Sequence, residues 1–381
     1  MAHQQTAQKR LWLSAAGTPT PQKKRRLSAN TRALHVGTDC SGMDVCVAML
    51  EEIIAERQLR YAVEHVFSSE VDPSAREIIE YNFSPKYLYN DLTKRALYPS
   101  GALAASQLPA ASELCGLDIY VAGFPCQPWS SAGKQEGFMD EKGRGLIWTH
   151  IVQFIILAKP KCVILENVVG ITQGKNKSSF AQMLEMLQSI TSYEVQHKVL
   201  NTRDFGVPQN RERVFVIMLL KSTECRPFKW PEKVPADSLC LDSCLDDKES
   251  PGPVDLTTLP TGKAARKKLV QALTDMMSSG SDPHRTPAVC SLGNRRSSTM
   301  VNCCPCLTAA RAKEGGHWLM HRARFMTMNE LFRLQGLPPS RWKVPQGVPE
   351  GKMKLCIGNA ISGNVIKLLL AAAMEALGLF D

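Results

Sequence analysis

Leu117 to Gly133 reads LDIYVAGFPCQPWSSAG, and its first half decides the fold. Asp118 to Val121 is a short apolar, β-favouring run of the kind that forms a buried parallel strand. Gly123 and Pro125 end it abruptly, so Cys126 falls on the loop beyond a strand's carboxyl end. In an open α/β sheet that edge borders the crevice where ligands bind. A cysteine displayed there by a rigid Pro-Cys-Gln-Pro turn is a candidate nucleophile, since a partly ionised thiol attacks well. An arbitrary cysteine is more often a small buried hydrophobe, so the reading depends on its companions.

Working outward, the companions are present. A second apolar strand, Cys162 to Leu165, ends in Glu166-Asn167, which sets a carboxylate on the rim of Cys126 if the two strands are parallel neighbours. Gln209-Asn-Arg211-Glu-Arg213 then leads into the strand Val214 to Leu220. A thiol, a carboxylate and two arginines thus face one crevice.

Elsewhere strands and helices alternate, as in a doubly wound sheet. The fold begins near Leu34 with a strand over His35 to Thr38, a turn at Asp39 to Gly42, and a helix with Met43, Cys46, Val47, Leu50 and Ile54 on one face. Tyr61 to Ser69 is the next strand; it ends in Glu70, and Asp72-Pro73 opens a helix as N-cap and first helical residue. The apolar run Leu146 to Lys159 predicts a buried helix stopped by Pro160. A helix over Phe180 to Ile190 and strands over Tyr193 to Val199 and Val214 to Leu220 complete the pattern.

The chain has 381 residues, 44% of them hydrophobic, enough for one large domain and a smaller one. Its net charge of +10 points to a polyanionic partner, because lysines and arginines gain affinity by releasing counterions from phosphates. The 13 cysteines follow no regular spacing and read as free thiols of a reducing compartment. Cys303, Cys304 and Cys306 lack a second paired knuckle, so no metal site is expected. No apolar run reaches the length of a membrane span.

Four segments follow from composition. Residues 1–30 form a polar arm whose run Lys23-Lys24-Arg25-Arg26 reads as a nuclear localisation signal, a phosphate-gripping arm or a solvated tail. Residues 31–220 are the first part of the α/β domain. Residues 221–323 scatter prolines, serines and cysteines among Lys263, Arg266, Lys267, Lys268, Arg295 and Arg296, without sustained period. Residues 324–381 return to regular structure, with a helix carrying Glu330, Arg333, Leu334 and Gln335 and an apolar helix over Val365 to Leu377.

GFPCQPWSSAGKQEGF, LENVVG, FGVPQNRERVFVI, RFMTMNELFRLQGLP and IGNAISGN resemble, in this order, the sequence blocks of the cytosine-5 DNA methyltransferases, which use S-adenosyl-L-methionine. The resemblance runs from about Leu34 to the end, leaving out the central segment. It implies a Rossmann-like methyltransferase fold, a mixed and mostly parallel sheet with helices on both faces, plus a smaller, irregular target recognition domain at 221–323. It implies a discontinuous catalytic domain, to which 324–381 returns. Its expected activity is methyl transfer to carbon 5 of a cytosine flipped out of duplex DNA.

The resemblance assigns residues as follows. Cys126 is the nucleophile, Glu166 binds the exocyclic amine, Arg213 the carbonyl at carbon 2, and Arg211 steadies the Cys126 region or a substrate phosphate. Asn167 orients the loop, and Gln127 holds or replaces the flipped base. For the cofactor it implies Ser41, Gly42, Glu70, Val71, Asp91, Leu92, Leu146, Asn359 and Ala360; Glu70 takes the ribose hydroxyls and Asp91 the adenine amino group. Taken as a residue alone, Glu70 is equally a solvated loop acid, and Asp91 equally the acceptor of an Asx turn.

One block departs from the pattern Asp-Leu-Phe-x-Gly-x-Gly. Here it is Thr38-Asp39-Cys40-Ser41-Gly42-Met43-Asp44, so Cys40 replaces the phenylalanine and only one glycine of the pair is kept. Two alternatives stand beside the DNA enzyme. One is a tRNA cytosine-5 methyltransferase of the DNA-methyltransferase-like branch, whose Cys-Phe-Thr signature is here Cys306-Leu307-Thr308. The other is an inactive nucleic-acid-binding homologue. The unrelated RNA cytosine methylases are excluded because the strand ends Leu-Glu-Asn rather than in a second cysteine. The implied location is the nucleus in a eukaryote and the cytoplasm otherwise.

Overall fold

The computed structural model describes residues 31–98, 108–125, 147–221, 225–247, 260, 262–293, 298–308 and 316–380. These fall into two compact units, one within 31–200, 212–231 and 366–380, the other within 201–211 and 232–365. The arm at 1–30, the Cys126 loop to Leu146, and Arg295 and Arg296 lie outside the described residues.

The first unit holds a seven-stranded sheet. In chain order its strands are β1 (Arg32–Asp39), β2 (Tyr61–Ser69), β3 (Tyr87–Tyr89), β4 (Ile119–Ala122), β5 (Cys162–Val168), β6 (Tyr193–Asn201) and β8 (Glu212–Leu220). They lie side by side as β3-β2-β1-β4-β5-β8-β6. From β3 through β5 every pairing is parallel, and β8 runs antiparallel to β5. The strand order reverses between β1 and β4, the switch point outside which such sheets bind ligands.

Helices α1 (Val45–Glu56), α2 (Pro73–Asn82), α3 (Ile147–Ala158) and α4 (Lys177–Gln188) alternate with these strands. Asp72 caps α2 as its sequence predicts, accepting from the amides of Ser74 at 2.8 Å and Ala75 at 3.2 Å. Helix α3 turns Trp148, Ile151, Phe154 and Ile155 into the core, but Ile156 is 47% exposed, so its apolar run is not buried all round. Phe67, Tyr120 and Phe154 form the aromatic centre, with Phe154 5.3 Å from Phe67 and 4.7 Å from Tyr120 between ring centroids. Gly37 on β1 is required there, because a Cβ at that position would collide with the Phe67 ring.

The second unit is more regular than its composition predicts. It contains β7 (Gln209–Asn210), α5 (Lys263–Ser278), β9 (Ala288–Ser291), β10 (Ser298–Val301), β11 (Cys304–Pro305), β12 (His317–Leu319) and β13 (Arg324–Phe325). Strands β10-β9-β12-β13 make an antiparallel sheet, and β7 pairs β11 in parallel. Helix α5 has Ala265 and Leu273 partly buried and apolar Val270 and Met277 exposed, while Leu269, Ala272 and Met276 face fully inward. Those three pack against Cys290 and Trp318 of the sheet.

Helices α6 (Met328–Leu334), α7 (Glu350–Asn359) and α8 (Gly363–Ala376) follow. Thr327 and Glu330 form a reciprocal capping box on α6, with Thr327 Oγ1 accepting from the Glu330 amide at 3.2 Å and Glu330 Oε2 from the Thr327 amide at 2.8 Å. Ile357 to Asn359 close α7. Among the described residues no single helix is long and apolar enough to cross a membrane.

Candidate active site

Because β1 to β5 are parallel, their carboxyl ends share one edge of the sheet, and the predicted residues of the first unit gather there. Asp39 pairs with Ser69 on one side and Ala122 on the other, and Ala122 pairs with Leu165. The turns after β1 to β4 carry Ser41 and Gly42, Glu70 and Val71, Asp91 and Leu92, then Phe124 and Pro125, while Glu166 and Asn167 continue β5 just past Leu165.

Strand pairing explains how Glu166 meets Arg213. Glu166 lies opposite Phe215 and Arg213 opposite Val168, so the two are diagonal neighbours on one face of an antiparallel pair. Arg213 Nε is 3.0 Å from Glu166 Oε1, with the side chains only 13% and 10% exposed. Arg213 Nη1 also donates to the Glu212 carbonyl at 2.7 Å. The pair is a charge-assisted contact at the edge of the core.

Asn167 is buried and works across strands. Its Nδ2 donates to the Phe124 carbonyl at 3.3 Å, and its Oδ1 accepts from the Val168 amide at 2.8 Å. The first bond ties the end of β5 to the segment leaving β4, two residues ahead of Cys126. Cys126, Gln127 and Leu146 themselves lie outside the described residues.

On the other side of the switch point, Glu70 faces the β1 turn. Its Oε2 accepts from the Gly42 amide at 2.7 Å and its Oε1 from the Asp72 amide at 2.9 Å. Burial pushes its carboxyl above the usual range, and these amide bonds oppose the shift. Arg76 Nη1 reaches the carbonyls of Glu70 and Val71, each at 2.8 Å, and holds the turn from below. Val71 is 65% exposed, and a Cβ at Gly42, whose φ is +57°, would meet nothing within 4 Å. The turn therefore has open space beside a carboxylate. Asp91 accepts from the Thr93 amide at 2.9 Å and hydroxyl at 2.7 Å, the Asx-type arrangement foreseen as its alternative role, while Leu92 is buried.

Two residues that sequence reasoning passed over hold this edge in place. Arg95, just after the Asp91 turn, makes a two-pronged bond to Asp39 at 2.7 and 3.1 Å, and the Tyr120 hydroxyl donates to the same carboxylate at 2.7 Å. The guanidinium stacks 4.4 Å from the Phe154 ring centroid. Only the residue types hinted at this, since the partners lie 56 and 81 positions apart. Beside them, burial and the charge of Asp39 push the Cys40 thiol well above its ordinary value.

Arg211, Asn359 and Ala360 belong to the second unit. The Arg211 side chain is buried, donating from Nη1 to the carbonyls of Leu307 at 2.6 Å and Gly358 at 3.2 Å and from Nη2 to that of Ala360 at 2.8 Å, while the Cys126 region that the resemblance has it steady lies outside the described residues. Gln209 beside it donates to the Leu334 carbonyl at 2.6 Å. Asn359 is exposed at the end of α7. Among the described residues no three His, Cys, Asp or Glu side chains gather as metal ligands.

The family described as C-5 cytosine-specific DNA methylase matches residues 48–375. The type II methyltransferase M.NgoBI of Neisseria gonorrhoeae is 30% identical over 309 residues, covering 81% of this chain and 85% of that one. M.HaeII of Haemophilus aegyptius, another type II methyltransferase, is 29% identical over 320 residues, with coverage of 84% and 88%. The solved structure of the Dnmt2 methyltransferase of S. pombe superposes over 91% of this chain and 99% of its own, with a TM-score of 0.58 at 16% identity, which speaks for the fold alone. A putative DNA modification methyltransferase from an E. coli prophage gives the same TM-score of 0.58 at 18% identity. The match across most of the chain, the similar relatives and the α/β sheet agree: the chain belongs to the C-5 cytosine-specific DNA methylase family.

Proposed function

We propose that this chain is a DNA (cytosine-5-)-methyltransferase that uses S-adenosyl-L-methionine and acts on a cytosine turned out of the duplex. The observation that carries the reading is the Glu166–Arg213 pair, 3.0 Å apart between β8 and β5, the strand beside the one leading to Cys126. Carbon 5 of cytosine is a poor nucleophile. Addition of the Cys126 thiolate at carbon 6 forms a carbon–sulfur bond and shifts the ring's electron pair toward carbon 5. Glu166 holds the exocyclic amine, and Arg213 faces the oxygen at carbon 2, where negative charge grows as the thiolate adds.

When bound, S-adenosyl-L-methionine supplies the methyl group from its sulfonium centre. The turn around Gly42 fits such a group: it is open, glycine lets its backbone approach a ligand, and Glu70 stands at the position where an acid meets ribose hydroxyls. Ser41, Val71, Asp91 and Leu92 border the same edge, and the family resemblance adds Leu146, Asn359 and Ala360. Loss of the carbon 5 proton then lets the thiolate leave, restoring the ring and freeing Cys126. None of these steps can occur inside a stacked duplex, so base flipping with Gln127 in the vacated space is part of the proposal. Lys263, Arg266 and Lys267, exposed on the first turns of α5, are suited to phosphate contact.

The test is transfer of labelled methyl groups to duplex DNA and, in parallel, to bulk tRNA, comparing the wild type with Cys126→Ala. Label on DNA that disappears in the variant is the expected result. Label on tRNA alone overturns the DNA assignment, and undiminished label with Cys126→Ala overturns the covalent route.

A further inference from the structure

Alternate residues of the turn between β1 and α1 have positive φ: Cys40 at 51°, Gly42 at 57° and Asp44 at 55°. Asp44 occupies the place of the second glycine in the family pattern, and the backbone there still has the conformation a glycine would take. An L residue held in that region is strained, though aspartate tolerates it better than most. Such strain persists where the surroundings over-determine it, and it is a pointer to function.

The surroundings of Asp44 do over-determine it. Its carboxylate is 1% exposed, and its two oxygens receive different strands: Oδ1 accepts from Thr38 Oγ1 of β1 at 2.7 Å, and Oδ2 from Ser68 Oγ of β2 at 2.5 Å. Thr38 and Ser68 are cross-strand partners. A carboxylate only accepts, so both hydroxyl protons point at Asp44 and the remaining lone pairs point away from it. That of Thr38 faces Ser41 Oγ at 2.7 Å, and that of Ser68 faces His65 Nε2 at 2.7 Å. Ser41 Oγ is in turn within 3.1 Å of the Thr38 carbonyl and 3.2 Å of the Ser69 carbonyl, and the Ser41 amide donates to Ser69 at 3.0 Å. Gly42 follows, bound to Glu70. One buried carboxylate therefore orients the Thr38 and Ser68 hydroxyls, and through Thr38 it leaves a lone pair for the Ser41 hydroxyl, which packs with the Ser41 and Gly42 amides against the end of β2.

We infer that Asp44 is a positioning residue for the cofactor, taking the place of the missing glycine by locking the Ser41-Gly42 backbone through Thr38 and Ser68. This rests on the cofactor reading given above. It makes Asp44→Gly, a return to the family pattern that also relieves the strained φ, a damaging change for binding.

The experiment is calorimetric titration of S-adenosyl-L-methionine into the full chain, at a temperature where circular dichroism finds each variant folded. The wild type should bind. Asp44→Gly should bind about tenfold more weakly while circular dichroism still finds it folded. Asp44→Asn, which keeps one accepting oxygen, should recover part of the affinity. Thr38→Val, which removes the hydroxyl between Asp44 and Ser41 at nearly constant volume, should lose about as much as Asp44→Gly. Wild-type affinity in either Asp44→Gly or Thr38→Val overturns the inference and leaves the cofactor reading standing. A wild type that does not bind overturns the cofactor reading itself, and this inference with it.

Discussion

Arg211 and Arg213 stand two residues apart, and the structure gives them opposite surroundings. Arg213 lies on β8 against Glu166, a charge facing a charge at the sheet edge that carries the candidate site. Arg211, just before β8, donates to three main-chain carbonyls from two distant segments of the second unit. The chain passes from one compact unit to the other between residues 211 and 212, which is why neighbours in sequence serve different structures. The comparison separates two uses of one residue type. A guanidinium on backbone carbonyls fixes a fold, whereas one on a carboxylate at a binding edge can still exchange that partner for a substrate oxygen.

The most forceful way to break this distinction is to remove Arg211. Arg211→Ala leaves buried carbonyls without their donor, at a cost of about 3 kcal/mol or more. For a protein of this size that lowers the thermal midpoint by about 4 °C. Arg211→Lys should rescue little, because a compact ammonium cannot span the fork that reaches Leu307, Gly358 and Ala360 together. A calorimetric scan decides the matter. A midpoint unchanged in Arg211→Ala would mean that the carbonyl contacts contribute nothing to the fold.

Arg213→Ala sharpens the same contrast from the other side. Loss of a donor facing developing charge should lower kcat by about 100-fold to 1000-fold in the methyl-transfer assay. The thermal midpoint should move far less than in Arg211→Ala, since Glu166 sits at the edge of the core, where water can replace its partner. A fall in kcat no larger than that of Arg211→Ala would remove the functional distinction between the two arginines.

What the sequence disclosed follows from the range of the interactions involved. Tyr61 to Ser69 and the Asp72-Pro73 helix start are legible because propensity, capping and proline act over a few residues, and the structure has both at the positions read. The common edge for Glu166 and Arg213 is legible because each lies at one end of an apolar strand run, Cys162 to Leu165 and Val214 to Leu220. Burial of Arg211 was not, because its acceptors lie 96 to 149 positions away and are main-chain atoms that leave no mark in the sequence. Helix α5 is hard to read for a different reason, since apolar Val270 and Met277 on its exposed side blur the stripe of Ala265, Leu269, Ala272, Leu273 and Met276. The loss of a glycine at Asp44 was visible, but its replacement by a hydrogen-bonded carboxylate needs the register of β1 on β2 to be seen.

A smaller effect tests whether the second unit depends more generally on charges turned inward to its own scaffold. Asp242 meets His321 Nε2 at 2.9 Å and Arg322 Nη2 at 3.3 Å. The hydrogen bond from His321, aided by Arg322, holds its carboxyl below the usual carboxylate range. Burial pushes Asp246 upward, but Thr327 and Arg333 outweigh it and hold that carboxyl low as well. A carboxyl depressed in the folded state contributes stability above its unfolded value of about 4, and that contribution is lost as pH falls through the folded value. Urea midpoints measured downward from about pH 6 should therefore decline below about pH 4. Asp242→Asn removes one carboxylate from this linkage, so its midpoint should fall less steeply over the same range, with a deficit at pH 6 of about 1 kcal/mol. A variant whose acid limb runs parallel to that of the wild type would assign the limb to other carboxylates and confine the scaffold role to Arg211.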